Sequence, residues 1–221
     1  MLPLLLFLAA DLPLGGISHV GFRVADIEKT RAFYSSVLGI EQAFDQKDAS
    51  GKTTLAVFQI DKDEFLEFSP GIPAGTTDRF THIAFLTDKL ESAREVVQSL
   101  GLNPPELRTG RDRTQNFSIK DPDGHRVEFV RYEVDSLQAA ARAKFTGNPH
   151  GAIHLKRVGI AVADRELALK FFRDSLGVDR YINLLAPGAA TRLYFEVANP
   201  KLAGNLSDPD GTPIELVVGA R

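Results

Sequence analysis

Ile17 to Ile40 reads ISHVGFRVADIEKTRAFYSSVLGI, and its two parts carry different periodicities. Ile17 to Val24 is rich in valine, phenylalanine and isoleucine, the composition of a pleated, half-buried strand. Ala25-Asp26 breaks the strand, and Asp26 suits the N-cap of a helix. Phe33, Val37 and Leu38 then lay an apolar stripe along that helix, which stops at Gly39. One polar side chain interrupts the apolar strand, and it is His19.

The same unit recurs. His19 to Ile40 aligns without a gap onto Arg157 to Val178, RVGIAVADRELALKFFRDSLGV, with Val20, Gly21, Val24, Ala25, Asp26, Glu28, Phe33, Leu38 and Gly39 kept. A middle copy, FTHIAFLTDKLESAREVVQSLGL, begins at Phe80, with Asp88 as its expected cap. The back ends also repeat: Asp121 to Glu128 is DPDGHRVE and Asp208 to Glu215 is DPDGTPIE. Each unit reads as a strand, a helix and a run of short strands punctuated by turn residues. This gives an α+β chain of repeated modules over 16–70, 79–132 and 155–218, the third degenerate. The linker 133–154 holds a short helix over Ser136 to Lys144.

Composition bounds the function. A chain of 221 residues with net charge −3 offers no general electrostatic reason to bind nucleic acid. Without cysteine there is no thiolate nucleophile, disulfide or cysteine-ligated zinc, so any metal must use imidazole, carboxylate and water. Leu2 to Ala10 is apolar but too short to span a bilayer. It reads as the core of an export signal with cleavage after Ala10, although the usual basic residue ahead of it is missing. Residues 1–15 are therefore taken as a signal remnant or an apolar tail, with export slightly favoured over a cytoplasmic location.

One helix on a four-stranded sheet leaves the other sheet face uncovered, and two modules can share that face as a cup. Strand alternation then sorts the side chains. Val20, Phe22 and Val24 pack under the helix, leaving Ile17, His19, Gly21 and Arg23 for the cup. Ile83 and Phe85 pack, leaving His82. Leu66 and Phe68 pack, leaving Phe65 and Glu67. Val127 and Phe129 pack, leaving Arg126, Glu128 and Val130. His19, Glu67, His82 and Glu128 emerge, and each glutamate follows its histidine at a similar interval, 48 and 46 residues. Two nitrogens and two carboxylates suit a divalent first-row metal with open positions, and a carboxylate beside it can move protons. The metal-free alternative is a salt-bridged cup in which Arg23 and Arg126 pair with the glutamates.

The strand-helix motif HVGFRVADIEKTRAFYSSVLGI and the last-strand motif DPDGHRVEF resemble the vicinal oxygen chelate superfamily of glyoxalase I, bleomycin-resistance proteins and extradiol dioxygenases. The resemblance covers Gly16 to Val218 and implies βαβββ modules, two of them paired around a cupped mixed sheet that holds one metal. It matches His19, Glu67, His82 and Glu128 to the ligand positions, with Ni, Co, Zn, Mn or Fe as the ion. The complete His-Glu-His-Glu set is that of bacterial-type glyoxalase I. It implies a lyase or isomerase acting on a small α-hydroxycarbonyl or hemithioacetal substrate through an enediolate, with Glu67 or Glu128 as the proton carrier. Extradiol dioxygenases use two histidines and one glutamate, leaving Glu67 surplus, and bleomycin-binding members need no metal. Arg108, Arg111 and Arg113 form a basic loop able to hold an anionic substrate. His125, His150 and His154 are candidates for an additional base in the dioxygenase alternative.

The third unit departs from the rule. Arg157 replaces the histidine while Glu215 keeps the glutamate position, and the two are expected to pair. With no fourth unit to share its cup, this unit is expected to pair with a second copy in a homodimer. A lost segment is placed at residues 198–204.

Overall fold

The computed structural model describes residues 12–72, 78–148 and 151–219. The expected export signal, His150 and the centre of the loop between the first two modules lie outside the described residues. Among the described residues no helix is long and apolar enough to cross a membrane.

The first module is β1 (Gly16–Val24), α1 (Ile27–Leu38), β2 (Glu41–Lys47), β3 (Thr53–Gln59) and β4 (Phe65–Pro70). The second is β5 (Phe80–Leu86), α2 (Leu90–Ser99), β6 (Arg108–Thr109), β7 (Gln115–Lys120) and β8 (Arg126–Arg131). Together they make one eight-stranded sheet in the order β2-β3-β4-β1-β5-β8-β7-β6. Within each module the first strand runs parallel to the last, and the two first strands meet antiparallel at the centre. The α+β architecture of βαβββ modules is therefore present. The central strands carry the histidines and their outer neighbours carry the glutamates.

After α3 (Leu137–Lys144) comes a second sheet. Its elements are β9 (Ala152–Ala161), α4 (Arg165–Leu169) with a π-helical continuation over Lys170–Ser175, β10 (Ile182–Leu185), β11 (Arg192–Val197), β12 (Gly204–Ser207) and β13 (Pro213–Val218). Its order is β10-β9-β11-β13-β12, with β10 parallel to β9 and β11 antiparallel to it. Residues 198–204, the place expected for a lost segment, hold a short 3-10 turn over Pro200–Leu202 and lead into β12.

Local chemistry sets the boundaries. Asp26 caps α1 by accepting from the backbone N–H groups of Glu28 and Lys29, and Asp164 caps α4 in the same way. Gly39 ends α1 at φ 64°, a conformation that favours glycine. Asp88 does not cap α2: the N-cap is Lys89, whose N–H instead donates to Thr87 Oγ1 at 3.1 Å. The buried stripe of α1 is Thr30, Tyr34 and Leu38, while Val37 is 47% exposed. The helix is thus rotated relative to the expected Phe33–Val37–Leu38 stripe, because the Tyr34 ring fills the space over Phe68 with centroids 4.7 Å apart. Burying such rings contributes roughly 1.5–3 kcal/mol each.

The two sheets are joined through the repeated sequence motifs. In the first module Ala25 N–H donates to the Asp210 carboxylate at 3.2 Å, and in the second half Ala163 N–H donates to Asp123 Oδ1 at 3.0 Å. Each Asp-Pro-Asp-Gly turn therefore holds the strand-to-helix corner of the other half. Tyr34 also donates to Asp208 Oδ2, and Leu155 N–H donates to Glu64 Oε2 at 2.8 Å. Of these donors the Leu155 N–H and the Tyr34 hydroxyl are buried and would otherwise be unsatisfied where the halves pack together.

Candidate metal centre

His19, Glu67, His82 and Glu128 converge on the cup side of the eight-stranded sheet. His19 Nε2 lies 3.8 Å from Glu67 Oε1 and 3.9 Å from Glu128 Oε2. His82 Nε2 lies 3.5 Å from Glu67 Oε2 and 3.8 Å from Glu128 Oε2. The two rings meet edge to face with centroids 4.9 Å apart. All four side chains are 5–12% accessible. These separations exceed good hydrogen bonds, and His82 Nε2 is fully buried with no hydrogen-bond partner. A buried polar atom left in that state marks a missing partner. A divalent cation among the four residues would supply it, and the donor atoms of His19, Glu67 and His82 lie close enough together to hold one.

Backbone geometry aims these groups. Between β1 and β5 the pairing shifts from Ile17–Phe85 to His19–Ala84, so Ser18 is an extra residue in a bulge. The bulge moves Ile17 from the expected cup side into the main core. It also places Ser18 Oγ 3.0 Å from His19 Nδ1 and 2.5 Å from Tyr132 Oη. Gly21 faces His82 across the same pair of strands. A Cβ there would lie 2.2 Å from His82 Cε1, so only glycine leaves room for the imidazole.

The Ser18 chain fixes a tautomer. Burial pushes the Tyr132 phenol far above its ordinary range, so the group keeps its proton. Its O–H donates to the Asp63 carbonyl at 3.0 Å, which can only accept. Ser18 must then donate to Tyr132, and its oxygen accepts the Nδ1–H of His19. The lone pair of His19 is left on Nε2, facing the glutamates. Thr81 Oγ1 sits 2.9 Å from His82 Nδ1 and fills the same place for the second histidine. The sequence reading passes over Ser18, Thr81 and Tyr132. The signal for the first two was a hydroxyl residue immediately before each histidine, whereas Tyr132 is brought in by the fold alone.

Electrostatics favour a cation. Burial by itself pushes the Glu67 carboxyl up, but His19 and His82 outweigh it and bring it down to about 2. Burial pushes His82 below its ordinary value despite the nearby Glu67. Arg126 Nη2 and Arg108 Nη2 each lie 3.8 Å from Glu128. The expected pairing of a glutamate thus holds for Arg126, while Arg23 turns to the Pro70 carbonyl. Within the basic loop Arg108 alone reaches the quartet, and Arg113 is held by Asp135. His125 Nδ1 donates to Asp121 Oδ2 at 2.8 Å, and His154 pairs with Glu64 at 2.6 Å, so both are engaged elsewhere.

A family model described as the Glyoxalase/Bleomycin resistance protein/Dioxygenase superfamily matches residues 16–129, which contain the whole quartet. The chain belongs to that superfamily. Superfamily members include enzymes and metal-bound proteins, and this chain is similar to both. It is 27% identical over 195 residues to a 3-methylcatechol 2,3-dioxygenase of Pseudomonas putida, covering 83% of this chain and 64% of that protein. This chain therefore spans slightly under two-thirds of that relative's length. Among solved structures it resembles the 2,3-dioxygenase LapB of Pseudomonas sp. KL28, with TM-score 0.71, 16% identity and coverage of 96% and 94% of the two chains. It also resembles an Mn(II)-bound glyoxalase of Novosphingobium aromaticivorans, with TM-score 0.66, 16% identity and coverage of 92% and 82%. At those identities the structural likeness establishes the fold.

Proposed function

We propose that this protein is a metal-dependent dioxygenase that opens the ring of a catechol-type substrate. The observation that carries this reading is the 195-residue similarity to a 2,3-dioxygenase. A match of that length runs past the quartet into the second sheet. His19 and His82 with one glutamate would hold the metal, which would supply redox-active Lewis-acid chemistry for a vicinal diol and dioxygen. Both oxygen atoms enter the ring-opened product, so no outside reductant is needed. Ser18 and Thr81 orient the imidazoles, and the low accessibility of the quartet keeps bulk water from the reacting atoms. Arg108 is 59% accessible beside Glu128 and is placed to meet the negative charge of an ionised diol.

The glyoxalase-like reading needs Glu67 or Glu128 as a base on a carbon acid. Glu67 lies within reach of both imidazoles and can serve as a ligand in either reading. The deciding experiment loads the protein with Fe(II), Mn(II), Ni(II) or Zn(II) and follows oxygen uptake with substituted catechols, alongside hemithioacetal isomerisation. Oxygen consumed one-for-one with catechol, with Glu67→Gln retaining most of the rate, is the expected result. Isomerisation without oxygen uptake, abolished by Glu67→Gln, would establish the lyase instead.

A further inference from the structure

The second sheet repeats the pairing of the first across its centre. In the first sheet Gly21 stands opposite Glu67 on one side and His82 on the other, and Ala84 stands opposite Glu128. In the second, Gly159 stands opposite Asn183 and Arg192, and Tyr194 stands opposite Glu215. The bulge recurs too: pairing shifts from Leu155–Phe195 to Arg157–Tyr194, skipping Lys156 where the first sheet skips Ser18. A Cβ on Gly159 would meet Arg192 Cβ at 3.3 Å, as one on Gly21 would meet the His82 ring. By position in the sheet, β10 therefore answers to β4, β11 to β5, β13 to β8 and β12 to β7. The second half corresponds to two shortened modules around their own seam, rather than to one module without a partner.

The four positions equivalent to the metal quartet are then Arg157, Asn183, Arg192 and Glu215. They remain coupled in pairs. Arg157 Nη1 donates to Asn183 Oδ1 at 3.2 Å, and Arg192 Nη1 lies 3.7 Å from Glu215 Oε2. The expected Arg157–Glu215 pair does not form: Glu215 pairs with Arg192, and Arg157 donates to Asn183. With neutral imidazoles the first quartet carries two negative charges, whereas the second carries two positive and one negative. The sign of the site is inverted. A permanent guanidinium excludes a metal and is suited to a planar anion.

We propose that the second cup binds a small monocarboxylate at Arg192, with Arg157 reaching it from the adjacent strand. A groove of about 460 Å³ adjoins Arg192 and is lined by Asn205 and Ser207, an amide and a hydroxyl that can complete carboxylate recognition. Arg192 and Glu215 are 39% and 36% accessible, so an anion reaches them without opening the fold. Glu215 reduces the net charge to one, which favours a singly charged carboxylate over phosphate. This inference is independent of the reaction in the first cup.

The test titrates metal-loaded protein with benzoate and, separately, with inorganic phosphate, following the arginine Nε–H resonances by NMR. Saturable benzoate binding that moves the Arg157 and Arg192 signals is expected. Arg157→Gln and Arg192→Gln should each weaken it about tenfold, and Glu215→Gln should tighten it by removing the competing carboxylate. All three positions are partly exposed, so the variants should fold, as circular dichroism would verify. The proposal is overturned by absence of saturable binding, by binding unchanged in both arginine variants, or by phosphate binding as tightly as benzoate. Binding lost in His82→Ala would place the anion in the first cup and overturn it equally.

Discussion

The two sheets, one of eight strands and one of five, place four side chains at equivalent positions about a central seam, and those side chains differ. In the first, buried histidines and glutamates 3.5–3.9 Å apart leave a gap that suits a cation. In the second, two guanidiniums have taken the histidine positions, and each is satisfied by a local partner. The bulge, the seam glycine and the parallel outer strand are shared. A scaffold that survives this exchange of charge draws its stability from the aromatic and aliphatic core beneath the sheets, and chemistry is added on the open face.

The strongest way to break the contrast is to remove an imidazole. His19→Ala or His82→Ala should lower bound metal from about one equivalent to near zero, with folding retained, as measured by elemental analysis and circular dichroism. Arg157→Ala should leave metal content unchanged. Gly21→Ala comes next: its methyl would collide with the His82 ring, so metal binding should fall about as far as in His82→Ala. Gly159→Ala meets its nearest atoms at 3.0 Å or more, and the flexible ends of Leu185 can move. It should cost about 1 kcal/mol or less in a denaturant titration.

Smaller effects sharpen the picture. Tyr132→Phe removes the acceptor that takes the Ser18 hydrogen, and should weaken metal binding about 10- to 100-fold while leaving the ligands in place. A competitive chelator titration would reveal an unchanged affinity if the hydrogen-bond chain had no role. Replacing either turn aspartate, Asp123→Ala or Asp210→Ala, should cost about 0.5–1.5 kcal/mol by removing a hydrogen bond at the junction of the halves. Equal losses from the two would support the reciprocal arrangement.

The smallest effect depends on pH. The Glu64 hydrogen bond raises His154 above its ordinary 6.5, with Asp61 and Glu196 adding in the same direction. Burial raises Glu64 as well. The folded protein therefore holds protons on this pair more tightly than the unfolded chain does. While Glu64 is ionised, the imidazole's contribution is complete below pH 6.5 and declines as the pH rises through its higher folded value. The Tm difference between wild type and His154→Gln should shrink over that interval, and a constant difference would exclude the pair as its source.

By itself the sequence determined the first two modules, the helix cap at Asp26, and the shared sheet face of the four-residue quartet. Those features follow from local periodicity and from repetition at matched intervals, which survive in one dimension. Strand alternation was enough to select His19, Glu67, His82 and Glu128, because a side chain's face of the sheet is fixed by its parity. It failed at Ile17, where the bulge at Ser18 changes the parity, and it misplaced the buried stripe of α1 by ignoring the bulk of Tyr34. Only the tertiary structure decided that Tyr132, far along the chain, sets the proton on His19. It alone paired Arg192 with Glu215 and showed the second sheet to have a seam of its own. Those facts depend on which strands become neighbours. Hydrogen-bond pairing between distant segments decides that, and local sequence pattern does not record it.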